Sequence, residues 1–123
     1  MKALVQQAVA RAQARGATYA DARAIVCRRQ SIHTKNGAPD ALTDATEQGL
    51  GIRVIADGAW GFASSASVAP SEVEEAAELA VRIARASASL APDPIELAPQ
   101  QPARGEWSSE YRMDPFAIPL QQK

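Results

Sequence analysis

The chain has few of the residues on which disulfide and metal chemistry depend. Among its 123 residues are one cysteine, Cys27, and one histidine, His33. A single cysteine cannot form an internal disulfide, and a zinc hydrolase needs about three protein ligands beside an open position for water. The sequence therefore predicts no internal disulfide, no self-contained metal site and no catalytic residue.

An excess of charge of one sign and long apolar runs are also absent. The formal net charge is −1 and the basic residues are scattered, whereas domains that bind DNA through its phosphates usually show a clustered basic face. No segment approaches the roughly 20 apolar residues of a membrane span, and the N-terminus lacks the apolar core of a signal peptide. We expect no direct nucleic-acid binding, no membrane association and a cytoplasmic location.

Aromatic residues make up only 5% of the chain, although 46% of it is hydrophobic. A core must therefore be built from Ala, Val, Ile and Leu. The length suits one domain, which we place at residues 1–90. Six of the eight prolines fall between Pro92 and Pro119, so residues 91–123 are predicted to form an extended, linker-like tail.

Hydrophobic periodicity and turn residues predict an α+β fold. A four-stranded antiparallel meander carries two helices packed on one face, in the order α-β-β-β-β-α. The predicted elements are a helix over 2–15 that ends at Gly16, strands over 19–35, 41–46, 50–56 and 59–65, and a helix over about 71–87. Asn36-Gly37 and Asp57-Gly58 are typical of tight hairpin turns.

The second helix carries two further predictions. Ser71 and Glu74 have the spacing of a capping box, and a start with Pro70 in the first turn is the alternative. The run Glu72, Glu74, Glu75 and Glu78 is read as complementing the helix dipole on a solvated face. The expected inner stripe is Val73, Ala76, Ala77, Ala80, Ile83 and Ala84.

The most informative segment is GLGIRVIADGAWGFASS, residues 49–65. Glycine inside a strand usually marks a bulge or a close approach by another group. Arg53 is either an exposed strand residue or a contact to another domain, subunit or peptide. Trp60 and Phe62 share one side of their strand, where they either pack under a helix or form a docking patch. The candidate interface or cavity residues here are Arg53, Gly58, Trp60, Gly61 and Phe62.

Two more candidates lie in the proline-rich tail. Trp107 and Phe116 are accompanied there by Tyr111 and Met113. Four large apolar side chains in a segment without a core would be exposed, which favours a partner surface.

This arrangement resembles the N-terminal domain of the TldD/PmbA metallopeptidases, a family also labelled modulators of DNA gyrase. The resemblance is carried by GLGIRVIADGAWGFASS, by TYADARA at 18–24, by EEAAELAVRIARAS at 74–87 and by DPFAIPLQQK at 114–123. It implies a non-catalytic N-terminal domain of a zinc enzyme that hydrolyses short or unfolded peptides. The family's HExxxH motif is absent, so zinc is expected only in a full-length metal-bearing relative.

The resemblance also implies partners. These are a related TldD/PmbA-type subunit, in a homo- or heterodimer, and a peptide substrate. Because the chain stops within a family motif, we expect the tail to lead into a catalytic region that is not part of it. The alternatives are a stand-alone peptide- or subunit-binding module without hydrolase activity, and a purely structural dimerisation domain. In the intact protein we expect the glycine-rich hairpin to adjoin the peptide-processing cavity or a subunit interface.

Overall fold

The structure, a computed structural model, describes residues 1–90 and 93–123, so the first two residues of the predicted tail lie outside the described residues. Two compact units are present. The first comprises Met1–Arg29 and Asp44–Leu97, and the second comprises Gln30–Thr43 and Ala98–Lys123. The predicted domain boundary after residue 90 stays a prediction.

Helix α1 spans Lys2–Ala14 and packs beside the second helix, α2, which spans Pro70–Ala88. Arg15 forms the C-cap of α1, and Gly16 follows with a φ of +93°. This left-handed conformation suits glycine, which has no Cβ to clash with the preceding carbonyl. The predicted end of the first helix at Gly16 is confirmed.

The sheet has three antiparallel strands, in the spatial order β1-β2-β3. Their bounds are Tyr19–Lys35 for β1, Ala38–Ala56 for β2 and Ala59–Ser65 for β3. The predicted four-stranded sheet is therefore wrong, and the element order is α-β-β-β-α. The strands expected over 41–46 and 50–56 are one continuous strand, β2. Its polar residues 46–48 resemble a connection in sequence, but this part of β2 is exposed and a strand tolerates polar side chains there.

Both predicted hairpin turns are confirmed. Asn36 and Gly37 have φ values of +52° and +79°, and Asp57 and Gly58 have values of +53° and +80°. Two successive positive φ angles are typical of the tight turn whose twist matches that of antiparallel strands. The second turn fixes the register of β2 and β3, from Ala56 opposite Ala59 to Leu50 opposite Ser65.

Helix α2 begins without the predicted capping box. Ala69 is the N-cap residue, no side chain caps the helix, and Pro70 stands in the first turn, so the alternative start is correct. Glu74 instead accepts a hydrogen bond of 2.7 Å from the Gln7 amide of α1. The prediction that the glutamate run is only a solvated face is wrong for Glu74 and Glu78, because both bind side chains of α1.

The buried stripe of α2 differs from the prediction at two positions, because Val81 is buried in place of Ile83. Val81 is 2% exposed, whereas Ile83 is 38% exposed. Because α1 packs against one flank of α2, burial extends towards that flank and reaches Val81, while Ile83 lies on the other side.

The core lies in the first unit, between the helices and one face of the sheet. Alanine predominates in it, as the scarcity of aromatic residues predicts. Its buried members are Ala8, Ala12, Leu50, Ile52, Val54, Ala56, Ala63, Val73, Ala76, Ala77, Ala80, Val81 and Ala84. Small side chains let the helices approach the sheet closely.

The second unit combines the tip of the β1–β2 hairpin with the end of the chain. Two short 3₁₀ helices, Pro115–Ala117 and Leu120–Gln122, are its helical elements in the described tail. Asp114 caps the first by accepting a hydrogen bond of 2.9 Å from the Phe116 amide. Lys123 donates a hydrogen bond to the Gln30 side chain. Within residues 1–90 and 93–123, no helix has the length and apolar character needed to cross a membrane.

Candidate functional site

The sheet face opposite the helices carries a cluster of polar and aromatic side chains. Side chains alternate between the two faces of a strand, so Leu50, Ile52 and Val54 enter the core and Arg53 points the other way. Arg53 is paired in register with Phe62, and Ile55 with Trp60. Arg53, Trp60 and Phe62 therefore lie together on this face, which we call the open face.

Tyr19 and Asp21 of β1 complete the cluster. The Arg53 guanidinium bonds Asp21 through Nε at 2.9 Å and through Nη2 at 2.8 Å. It also lies over the Trp60 ring, 4.9 Å from the ring centroid. The Tyr19 ring meets the Trp60 ring edge-on, with centroids 5.9 Å apart and an interplanar angle of 89°. The Asp21 contact and the Trp60 ring therefore hold the arginine in place across all three strands.

The protonation of the cluster at neutral pH suits it to hydrogen bonding rather than to proton transfer. The hydrogen bond between the Tyr19 hydroxyl and Asp21 raises the pKa of Tyr19 above its usual 10.0, with desolvation adding to this. The same carboxylate raises the pKa of Arg53. Both groups keep their protons at pH 7, so neither is suited to act as a general base there.

A groove of about 700 Å³ adjoins this cluster within the first unit. Its lining includes Arg53, Phe62 and the backbone of Gly49 and Gly51, with the Phe62 ring lying over Gly51. A Cβ added at Gly51 would come within 3.2 Å of that ring. The remaining lining residues are Asp21, Arg23, Ile25, Gln48, Leu50, Ser64, Ser65 and Ala66. Two arginines and one carboxylate give the groove a net positive charge, and the exposed Phe62 ring gives it an apolar wall.

The seven predicted site residues fall in different places. Arg53, Trp60 and Phe62 are brought together on the open face. Of the two alternatives for Trp60 and Phe62, packing under a helix is wrong, because Phe62 is 59% exposed on the face away from the core. The inward positions of β3 hold Ala59, Gly61 and Ala63, where the close approach of α2 leaves no room for large side chains.

Gly58 and Gly61 are explained by local geometry. Gly58 supplies the second positive φ of its turn, and a Cβ there would lie 3.0 Å from Pro94. Gly61 faces α2, and a Cβ there would lie 2.0 Å from the carbonyl oxygen of Ala80. The group that approaches Gly61 closely is thus a helix of the same chain.

Trp107 and Phe116 belong to the second unit. The Trp107 side chain is 87% exposed and that of Phe116 is 39% exposed. The Lys123 ammonium lies 5.8 Å from the Phe116 ring centroid. Their prediction as partner-contacting residues stays a prediction.

The described residues do not suit a zinc ion. Within residues 1–90 and 93–123, no three His, Cys, Asp or Glu side chains group together. Cys27 is exposed, and His33 is within 3.0 Å of the Ser31 hydroxyl through its Nε2 atom.

Sequence reasoning did not identify Tyr19 and Asp21. Alternation along β1 places both on the face opposite Ala20, Ala22 and Ala24, which was a usable signal. Which strand lies beside β2, and in what register, was not available from that pattern. The contact between Asp21 and Arg53 depends on this pairing.

Comparison with known proteins identifies similarity over the sheet and most of α2. A family model described as PmbA/TldA metallopeptidase domain 1 matches residues 20–84. Among solved structures, TldE from Thermococcus kodakarensis is similar, with a TM-score of 0.59 and 19% sequence identity, over 89% of this chain and 23% of that one. At this identity the likeness shows the fold alone, and the chain spans less than a quarter of that protein. No curated protein matches the sequence significantly.

Proposed function

Because this chain belongs to the PmbA/TldD metallopeptidase family, whose first domain matches residues 20–84, we propose that it is the non-catalytic N-terminal domain of a zinc metallopeptidase. The family resemblance drawn from the motifs is confirmed by that match. The proposed enzyme hydrolyses short or unfolded peptides. This chain contributes neither the zinc ligands nor the general base, which are expected in a full-length, metal-bearing member of the family. The proposed location of the enzyme is the cytoplasm.

The observation that carries the proposal is the family match over the sheet and most of α2. The composition supports a non-catalytic role, since one histidine and one cysteine do not supply a zinc hydrolase site. The open-face groove supports a binding role. It combines an apolar wall at Phe62 with the fixed charge of Arg53, features that suit a contact with a peptide or with a related subunit in a homo- or heterodimer.

The first test is an activity and metal assay on the purified chain. We expect no stoichiometric zinc by elemental mass spectrometry and no cleavage of a quenched fluorescent peptide of unfolded sequence. Zinc-dependent cleavage by the chain alone would overturn the proposal. The positive control is the same assay after addition of a full-length, metal-bearing member of the family, and cleavage of the peptide should then be observed.

A second test concerns the groove. Binding of the chain to that full-length relative is measured by analytical ultracentrifugation for the chain itself, for Phe62→Ser and for Arg82→Gln. Phe62 is exposed in the groove, whereas Arg82 is exposed on α2. We expect Phe62→Ser to weaken association and Arg82→Gln to leave it unchanged. Equal association of all three would remove the groove from the proposal.

A stand-alone binding module is the second candidate, favoured by the exposed Trp107 in the tail. The two candidates differ in the mass of the native protein. A native species several times heavier than 13.0 kDa supports the domain of a longer enzyme, and a species of 13.0 kDa supports the module. Immunoblotting of source cells with an antibody to this domain makes the distinction.

A further inference from the structure

Strand β3 forms one edge of the described sheet and carries no charged side chain. The two-residue turn makes Ala56 and Ala59 a hydrogen-bonded pair, and such pairs alternate along an antiparallel ladder. The backbone groups of Gly61 and Ala63 therefore face β2. Those of Trp60, Phe62 and Ser64 face away from it, along an edge with which no described strand pairs. At the turn end of this edge, the Ile95 amide binds the Gly58 carbonyl at 2.8 Å. An uncharged free edge is a template for pairing with another strand.

Helix α2 lies directly above β3 and extends past this edge. A Cβ on Gly61 would lie 2.0 Å from the Ala80 oxygen and 2.6 Å from the Ala84 nitrogen, so the helix sits on the strand. A helix with its side chains is about 10–12 Å wide, whereas neighbouring strands are about 4.8 Å apart. The helix therefore also covers the position that one further strand would occupy.

The flank of α2 above that position is apolar. Glu74 and Glu78 bind side chains of α1, which fixes the flank that faces the other helix. Leu79 and Ile83 lie on the opposite flank and are 40% and 38% exposed. On the other side of the sheet, the Phe62 ring is 59% exposed beside the same edge. A strand added to β3 would have apolar surface on both of its faces.

We propose that the free edge of β3 and the Leu79–Ile83 flank of α2 form a docking surface for one extended strand of a partner polypeptide. Alternate side chains of that strand are apolar and pack under Leu79 and Ile83. Glu72 lies two turns before Leu79 on the same flank, so a lysine or arginine at the adjacent end of the strand complements it. This surface shares Phe62 and Ser64 with the open-face groove, but its occupant pairs with the backbone edge of β3 and lies under α2, and the proposal goes beyond the function proposed above.

A second copy of this chain does not fit the surface. If the β3 edges of two copies paired, each copy would still have its α2 helix above its β3 strand. The two α2 helices would then lie only one strand spacing apart. Packed helices need about 8–10 Å between their axes, twice the strand spacing. The occupant is therefore a strand that carries no helix above it.

The test uses a synthetic peptide of about nine residues that begins with lysine and then alternates valine and threonine. Binding is followed by fluorescence anisotropy, and pairing by amide hydrogen exchange. We expect the peptide to slow exchange at the amides of Trp60, Phe62 and Ser64. Exchange at Gly61 and Ala63, which already bond β2, should change little. Saturable binding without this alternating protection would overturn the proposal, as would no binding at all.

Matched variants separate the edge from the helix flank. Ser64→Pro removes a backbone donor that faces away from β2. The fold should therefore persist while peptide binding is lost. Ser64→Ala, which keeps the backbone donor, is the control. Leu79→Gln should weaken binding about tenfold, and Arg82→Gln, on the solvent side of α2, should not. Unchanged affinity in both Ser64→Pro and Leu79→Gln would contradict the proposal. Concentration-dependent dimers that protect the same amides would show a second copy instead.

Discussion

Gly61 shows how one residue sets the distance between two layers. The backbone of α2 occupies the space that a side chain at this position would need, since an added Cβ would come 2.9 Å from the Ala84 Cβ and closer still to backbone atoms. Backbone of a packed helix cannot move as a side-chain end can. The helix would have to shift as a whole, and with it the alanine-rich core beneath.

We therefore expect Gly61→Ala to lower the free energy of unfolding by about 2 kcal/mol or more, as overpacking does. Gly51→Ala is the matched control in the neighbouring strand. Its added Cβ meets only the Phe62 ring, whose exposed side chain can rotate, so the loss should stay below about 1 kcal/mol. Urea denaturation measures both. Equal losses would show that strand glycines matter here for backbone conformation and not for helix approach.

Glu78 connects the two helices through two arginines. Arg15 Nη2 lies 2.9 Å from its carboxylate, and Arg11 Nε lies 2.8 Å from it. The hydrogen bond from Arg15, followed by that from Arg11, lowers the pKa of Glu78 below its usual 4.5. Because the pKa is lower in the folded state, the stabilisation is present above the unfolded pKa. It is lost as the pH falls through the folded pKa.

Glu78→Gln should accordingly cost stability at neutral pH, and progressively less as the pH falls below 4.5 and through the lowered pKa of the folded state, where the wild-type carboxylate becomes protonated. Denaturant midpoints at neutral and acid pH give the comparison. Glu75→Gln is the control, because Glu75 is exposed and forms no ion pair among residues 1–90 and 93–123. A Glu78→Gln difference that stays constant with pH would contradict this account.

At the scale of elements, the two hairpin turns have the same backbone and different surroundings. Gly58 and Gly37 have φ values of +80° and +79°. A Cβ at Gly37 would meet nothing within 4 Å, whereas one at Gly58 would lie 3.0 Å from Pro94. The amide of Ile95 also bonds the Gly58 carbonyl at 2.8 Å. The segment after α2 is thus held against the second turn.

Gly37→Ala should cost about 1 kcal/mol through the strain of a positive φ alone. Gly58→Ala should cost more, because Pro94 must also move. Pro94→Gly removes the Cβ contact but leaves the Cα 3.2 Å away, so Gly58→Ala should cost less in the Pro94→Gly background than in the wild type. Thermal unfolding followed by circular dichroism of the two single variants and the double variant would measure this. No recovery would mean that the strain lies entirely in the turn.

The elements also show what the sequence predicts well. Asn36-Gly37 and Asp57-Gly58 were identifiable because a tight turn is a local property of two residues. The continuity of β2 was not identifiable, because its polar stretch at 46–48 is typical of a loop unless a neighbouring strand pairs with it. The same holds for Asp21 and Arg53, whose contact needs the order of the strands. Which flank of α2 is buried depends on where α1 packs, and the hydrophobic periodicity of α2 does not indicate that position.

At the scale of the whole molecule, the buried core lies in one unit. Every member of the core cluster falls within Met1–Arg29 or Asp44–Leu97, and none within the second unit. Hydrophobic burial provides most of the stability of a folded domain. Removing residues 98–123 would therefore remove exposed apolar side chains, Trp107, Tyr111 and Met113 among them, and no member of the core.

We expect the chain truncated after Leu97 to unfold cooperatively, with a midpoint within about 5 °C of that of the full chain, a shift equivalent to about 1 kcal/mol or less. The full chain should bind more of a hydrophobic dye, because its tail exposes large apolar groups. Trp107→Ser in the full chain is the control, and it should lower dye binding without moving the midpoint. A truncated chain that melts without cooperativity would show that the tail stabilises the fold, and the exposed aromatic residues would then need a structural explanation in place of a partner.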